Sequence, residues 1–174
     1  MSRYLMKIGF AGLFILAACD MPTGTQSKGF KSEYVASRTA LEEGRFDRAV
    51  RGYETMLKRY SATQAEGRLR LEYAHALLRG NNYQKASQQA HLVSVESGGA
   101  LQASALAVRG TAEHEFARAR LQQGPFDAAT ETSLKTALSA MERMLKSHPE
   151  LDSTGAMANR RKAIKDTLAN YGKS

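Results

Sequence analysis

Glycine and proline interrupt the chain from residue 30 onward at regular intervals, and long stretches of helix-forming residues lie between them. The breaks are Gly44, Gly80-Asn81-Asn82, Gly98-Gly99, Gly124-Pro125 and Pro149. The intervening segments are rich in Ala, Leu, Glu, Arg, Lys and Gln, and no alternating strand pattern stands out. The pattern predicts an all-α fold with helices over 32–43, 46–60, 64–79, 83–97, 100–122, 128–147 and 154–171.

Three of the breaks share one motif, in which a turn residue precedes an aromatic residue and alanine follows three positions later. The segments are Gly44-Arg45-Phe46-Asp47-Arg48-Ala49, Asn81-Asn82-Tyr83-Gln84-Lys85-Ala86 and Gly124-Pro125-Phe126-Asp127-Ala128-Ala129. The turn residue accepts a tight corner, the ring fills the wedge between two helices, and the alanine lets the second helix approach closely. Nine residues before each aromatic stands a small residue, namely Ser37, Ala74 or Ala117.

This motif resembles the centre of the tetratricopeptide repeat (TPR), which reads Gly-x-Tyr/Phe-x-x-Ala at the turn between its two helices. The resemblance covers about residues 30–149 and implies a right-handed solenoid of about three helix hairpins. The aromatics are 37 and 43 residues apart, whereas the family repeats every 34. The third repeat is therefore expected to have longer helices or an insertion near 130–134. An unrelated helical bundle, in which the aromatics recur by chance, is the alternative.

The last predicted helix has the pattern of a cap on this stack. A terminal hairpin has no neighbour to cover its apolar face, so repeat proteins need a closing element. Met157, Ile164, Leu168 and Tyr171 lie on one face of the helix predicted over 154–171. We therefore expect a C-terminal capping helix, with a basic helix on the membrane surface as the alternative.

The N-terminus has the pattern of an export signal. Arg3 and Lys7 precede an apolar run over 8–18, which is too short for the roughly 30 Å hydrocarbon core of a membrane. The segment Leu16-Ala17-Ala18-Cys19 resembles the lipobox of bacterial lipoproteins. The resemblance implies cleavage before Cys19, a diacylglycerol on its thiol and an acyl chain on its new amino group. A short buried apolar segment with one core cysteine is the alternative.

These patterns predict three parts of the chain. Residues 1–18 are the cleaved signal peptide, 19–29 are the lipidated N-terminus and a flexible linker, and 30–174 are the TPR-like helical domain. Asp20 follows the cysteine, which in enterobacterial lipoproteins is associated with retention at the inner membrane. We therefore favour the periplasmic face of the inner membrane, with the outer membrane as the alternative.

The net charge and the cysteine content limit the classes of binding partner and cofactor that we expect. Cys19 is the chain's single cysteine, so the rest of the protein has no thiol for a disulfide or a metal site. The formal net charge is +8, and export places nucleic acid out of reach. We expect attraction to anionic lipid headgroups or acidic protein segments instead, and no cofactor beyond the covalent lipid.

No constellation of catalytic residues is evident. The four histidines, 75, 91, 114 and 148, include no pair at the i, i+4 spacing of a zinc helix. Neither a glycine-rich phosphate loop nor a G-x-S-x-G elbow is present. We therefore expect a protein that is not an enzyme and has no small-molecule substrate.

The TPR resemblance implies a concave binding surface lined by the first helix of each hairpin. Transfer of the repeat register gives rows that share a helix face: Lys31, Arg68 and Thr111; Tyr34, Leu71 and His114; Arg38, His75 and Arg118; and Leu41, Leu78 and Leu121. Such a groove would be basic with an apolar edge. It would suit an acidic, partly apolar peptide, because a guanidinium binds a carboxylate through two hydrogen bonds. The alternative is that the arginines are ordinary solvated residues and the leucines are core.

The expected function is a non-catalytic, membrane-anchored scaffold or adaptor that binds proteins or peptides in the bacterial cell envelope. One alternative is a component of pilus, secretion or outer-membrane protein assembly. An alternative of another class is an activator of, or participant in, peptidoglycan metabolism.

Overall fold

The computed structural model describes residues 24–171, and the side chains of residues 29–171. Every regular element in this range is helical: α1 Gly24–Glu42, α2 Phe46–Arg59, α3 Glu66–Arg79, α4 Tyr83–Glu96, α5 Gly99–Gln123, α6 Ala128–Ser147 and α7 Ala156–Tyr171. A short 3₁₀ turn, Pro149–Asp152, precedes α7. The predicted all-α fold is confirmed, and α2 to α7 begin and end within two residues of prediction. The predicted signal peptide, Cys19 and Asp20 lie outside the described residues.

The start of α1 differs from the prediction. The helix begins at Gly24, so residues 24–29, which we expected to be a flexible linker, are helical. The ring of Phe30 lies 6.1 Å from that of Tyr34 and 4.9 Å, edge to face, from that of Tyr60 after α2. The ring contacts of Phe30 hold α1 in place directly after residues 24–29. Extension of an existing helix costs far less free energy than nucleation of a new one. Gly24 and Gly29 therefore do not end the helix.

The seven helices pack sequentially, each against the next in the chain, and α3 and α7 also contact α5. The turns that follow α1 and α3 have the same hydrogen bonds. Arg45 N donates to Ala40 O and Asn82 N donates to Leu77 O, both at 2.8 Å. Gly44 and Asn81 have φ values of +77° and +61°, as the left-handed position of a Schellman motif requires. The first two motifs thus form equivalent corners.

The third motif forms a different corner. Gly124 is extended, and α6 begins two residues after Phe126, with Asp127 as its cap. The Asp127 carboxylate accepts hydrogen bonds from the backbone nitrogen of Thr130 at 2.8 Å and from its hydroxyl at 2.6 Å. With this cap, the buried face of α6 is displaced by one residue relative to the position that the motif predicts. Ala129, predicted to be the close-packed alanine, is consequently exposed, and Thr130 is buried in its place.

The second helices of the three hairpins nevertheless bury a repeated set of positions. The fully or almost fully buried trios are Ala49, Tyr53 and Met56 in α2, Ala86, Ala90 and Val93 in α4, and Thr130, Leu134 and Ala137 in α6. Their spacing is four and then three residues in every case, so each trio forms one helix face. The third hairpin also has longer helices, of 25 and 20 residues against 14 in each of α3 and α4, as its wider motif spacing predicts.

Small residues set the distance between paired helices. Ser37, Ala74 and Ala117, the predicted close-packing positions of the first helices, are all buried. Helices α5 and α6 approach each other closely at Gly110, where a Cβ atom would lie 2.8 Å from Met141 Cγ and 3.2 Å from Ala137 O. No larger side chain fits at Gly110 without displacing α6.

The last helix covers the exposed side of α5 and α6. Ile164 is fully buried, and Met157 and Leu168 are partly buried beside it. Both carboxylate oxygens of Asp152 accept hydrogen bonds at 2.9 Å, from the backbone nitrogens of Met157 and of the next residue, and so fix the start of α7. Tyr171 stacks on Phe126 with ring centroids 4.8 Å apart. None of the helices described here is long and apolar enough to span a membrane.

Candidate functional site

A cavity of about 370 Å³ opens where α1, α3 and α5 meet. Five residues from the predicted rows line it: Arg38, Leu41, Arg68, Leu71 and His75. They belong to α1 and α3, which the chain separates by a whole helix. The structure therefore brings together side chains that sequence reasoning grouped by repeat register.

A second cavity, of about 340 Å³, continues from the first and shares His75 and Ser104 with it. Leu78 and Thr111 from the predicted rows line this part, together with Met144, Leu151 and Met157 near α7. We call the two cavities together the first-helix groove. One end is basic and the other, beside α7, is mostly apolar.

Five predicted residues line neither cavity: Lys31, Tyr34, His114, Arg118 and Leu121. His114 is buried because α7 lies over this part of α5. Arg118 instead forms an ion pair with Glu115 at 2.9 Å. The groove therefore ends near Thr111, because α7 covers the surface of α5 beyond this residue.

A buried acid, Glu72, lies at the centre of the basic end, and sequence reasoning missed it. Its carboxylate accepts hydrogen bonds from the hydroxyl of Tyr34 at 3.3 Å and from Nη1 of Arg38 at 3.0 Å. Nε of Arg68 lies 3.6 Å from it, as an ion pair. The spacing of Arg68 and Glu72, four residues apart on one helix, is the signal that could have found it. Glu72 thus links α1 to α3 across the groove.

The side chain of Glu72 is much less exposed to solvent than those of its two arginine partners. The side chain of Glu72 is only 7% exposed, whereas those of Arg38 and Arg68 are 45% and 69% exposed. Arg38 also pairs with the exposed Glu42 at 2.7 Å. The buried carboxylate therefore holds the arginines in place from below, and their outer nitrogens face solvent. The accessible surface of this end carries Arg38, Arg68 and Arg79 together with the exposed Glu42, so it is basic on balance, although the carboxylate of Glu72 underlies it.

The pKa values of two partly buried residues near Glu72, Tyr34 and His75, reflect its charge and their burial. Burial raises the pKa of Tyr34, and the negative charge of Glu72 raises it further. Burial lowers the pKa of His75, although Glu72 opposes the shift. His75 is therefore uncharged at neutral pH, and the arginines supply the positive charge of the groove.

A second ionisable cluster lies where α7 covers α5. Nη1 of Arg160 lies 3.0 Å from Nδ1 of His114 and donates to Glu115 Oε1 at 2.5 Å. A guanidinium can only donate, so Nδ1 must be the acceptor and the ring proton must be on Nε2. Burial, followed by the positive charge of Arg160, lowers the pKa of His114 to about 4. Neutral His114 is thus part of the contact that holds α7 in place.

Over residues 24–171 no three His, Cys, Asp or Glu side chains cluster as metal ligands would. No family model, curated protein or solved structure matches the chain. The interpretation of the groove therefore rests on the positions and charges of its own residues.

Substitution of Glu72 by glutamine tests the buried link. The amide keeps the shape of the side chain but loses its charge, which leaves Arg38 and Arg68 without their buried partner. We expect the free energy of unfolding in urea to fall by about 2 kcal/mol. The matched control is Glu42→Gln, which removes the exposed partner of the same Arg38 and should cost less than about 0.5 kcal/mol. Equal losses for the two variants would contradict the linking role of Glu72.

The lowered pKa of His114 predicts a pH dependence of stability. Below pH 6.5 the unfolded chain protonates this histidine, whereas the folded protein resists protonation down to about pH 4. Stability is therefore lost as pH falls through this window, by up to about 3 kcal/mol from this group. This loss is measured by chemical denaturation of the wild-type protein and of His114→Gln, which gives the free energy of unfolding of each between pH 7 and pH 4. The stability difference between the two proteins should shrink or reverse toward pH 4, and parallel curves would contradict the assignment.

Proposed function

We propose that the protein is a non-catalytic, lipid-anchored scaffold of the bacterial cell envelope, which binds an acidic, partly apolar protein segment in the first-helix groove. The observation that carries the proposal is the groove itself. It presents exposed arginines above a buried carboxylate and continues into an apolar cavity. A partner carboxylate would pair with the guanidinium groups, and apolar side chains would enter the cavity beside α7.

The repeat interpretation supports this role. The corners after α1 and α3 have the same hydrogen bonds, and the second helices bury the same spacing of residues. These features are compatible with a TPR-like solenoid, in which first helices line a concave peptide-binding surface. We propose three hairpins, of which the third is shifted by one residue at Thr130, and α7 as the cap.

The apolar end of the groove has room for a partner side chain. Leu151 lines it and is 44% exposed, although it is large and hydrophobic. Leu78 and Met157 line the same cavity and are only partly buried. Burial of an apolar side chain here would remove this surface from water, at about 25 cal/mol per Å². We therefore propose that the bound segment has an acidic part and an apolar part in the order of the two cavities.

The anchor is proposed from sequence alone. Leu16-Ala17-Ala18-Cys19 matches the lipobox, and α1 begins five residues after the cysteine. Five residues span at most about 18 Å, so the start of α1 would lie close to the membrane surface. We propose the periplasmic side, with the inner membrane favoured by Asp20.

A photo-crosslinking residue at Ser104, which lines both cavities, tests the groove in cells. Arg68→Glu should reduce the crosslinked adducts at least about fivefold, because it reverses a charge on the groove surface. Arg118→Glu makes the same change outside the groove, at a side chain of similar exposure, and should leave the adducts unchanged. Equal effects of the two charge reversals would contradict binding in the groove. Identification of the crosslinked protein would show in which envelope assembly this protein takes part.

The anchor is tested by expression of the full chain in a bacterium supplied with labelled palmitate. We expect the wild type and Thr23→Ala to incorporate the label and to sediment with membranes, because Cys19 supplies the acceptor thiol. Cys19→Ala should lose the label and keep the uncut N-terminus. Label on the Cys19→Ala protein, or none on the wild type, would refute lipidation at this residue.

A further inference from the structure

A second cleft lies on the side of α5 opposite the groove. Arg109 is two residues from Thr111 of the groove, a rotation of about 200° around the helix axis. Arg109 and Arg143 of α6 line a cavity of about 340 Å³ between their two helices. Thr132, Thr136 and Ser139 line the same cavity. Nothing in the proposed scaffold function uses these residues.

The two arginines of this cleft have no ion-pair partner among the described residues. Lys135, the other cation of the cleft, already pairs with Glu131 at 2.6 Å. Nε of Arg109 is buried and has no hydrogen-bond partner. Glu113, the acid whose charge acts on Arg109, accepts a hydrogen bond from Ser87 at 2.5 Å and forms no ion pair with Arg109. A buried donor without a partner is costly, and an anion that accepted its hydrogen bond would remove this cost.

Arg109 is partly buried beside a close contact between α5 and α6. The next residue is Gly110, where an added Cβ atom would lie 2.8 Å from Met141 Cγ and 3.2 Å from Ala137 O. Burial lowers the pKa of Arg109, Glu113 opposes the shift and the positive charge of Arg143 adds to it. An anion between the two guanidinium groups would remove this repulsion.

Hydroxyl groups extend the cleft along α6. Thr132, Thr136, Ser139 and Arg143 follow one another at spacings of four, three and four residues, and therefore share one helix face. The Thr132 hydroxyl donates to the backbone oxygen of Ala128 at 2.7 Å. No hydrogen bond within the described chain involves the hydroxyls of Thr136 and Ser139, so they remain free to donate.

We propose that Arg109 and Arg143, with the hydroxyls of Thr136 and Ser139, bind a phosphoryl anion. Arginine provides five donors and no acceptor, and one guanidinium already satisfies a carboxylate through two parallel bonds. A phosphate monoester has three terminal acceptor oxygens, which can take bonds from both guanidinium groups and the hydroxyls together. The donor set therefore fits phosphate better than carboxylate.

The phosphoryl group could belong to a soluble phosphate ester or to a phospholipid headgroup. Two probes separate these sources, with the full-length protein in each case. Calorimetric titration with glycerol 1-phosphate measures a soluble ester. Flotation with vesicles that contain phosphatidic acid, whose headgroup is a phosphate monoester, against vesicles of phosphatidylcholine alone, measures a lipid headgroup. The Cys19→Ala background removes the proposed lipid anchor, and its retained apolar segment over 8–18 contributes equally to both kinds of vesicle.

Three variants define the site. Arg109→Gln and Arg143→Gln should each weaken binding of the effective probe at least about tenfold, because each removes charged donors to the anion. Arg161→Gln removes one positive charge from α7, outside the cleft, and should leave binding unchanged. Unaltered thermal unfolding of Arg143→Gln without the probe would show that the loss does not come from misfolding.

Binding of either probe that depends on both cleft arginines supports the site, and the probe that binds identifies the source. Binding of neither probe overturns it. Equal weakening by Arg161→Gln also overturns it, because that result would indicate only general attraction to a cationic protein. The scaffold function does not depend on this outcome, since Ser104 crosslinking reports on the opposite side of α5.

Discussion

Close approach between helices, at positions occupied by small residues, is the constraint on which the rest of this structure depends. Ser37, Ala74 and Ala117 let each first helix approach its partner, and Gly110 lets α6 lie directly on α5. Interiors are packed as densely as organic crystals, so one added side chain at such a position displaces a whole helix.

The buried carboxylate of Glu72 connects two helices through hydrogen bonds and ion pairs rather than through close packing. A charge removed from water requires partners, and Tyr34, Arg38 and Arg68 supply them from two helices that are not consecutive in the chain. Glu72 therefore fixes α1 relative to α3 and, with it, the width of the basic end of the groove. The exposed nitrogens of the arginines remain available to a partner as a result.

Helix α5 separates two surfaces of different chemistry. Thr111 faces the groove of the first helices, and Arg109 faces the cleft along α6. Helix α7 limits the groove through Met157 and the contact of Arg160 with His114. The proposed protein segment and the proposed anion would therefore bind on opposite faces of one helix.

The sequence by itself determined the helices, since periodicity and turn residues act over a few positions; it also predicted the small contact residues and the equivalent corners at Gly44 and Asn81. It missed one local feature, the cap at Asp127 that buries Thr130 in the place expected for Ala129. It also failed where distant residues decide: α7 covers His114, and Glu72 has its partner Arg38 on another helix. Only tertiary structure settles such cases, because burial and charge pairing depend on which helices meet.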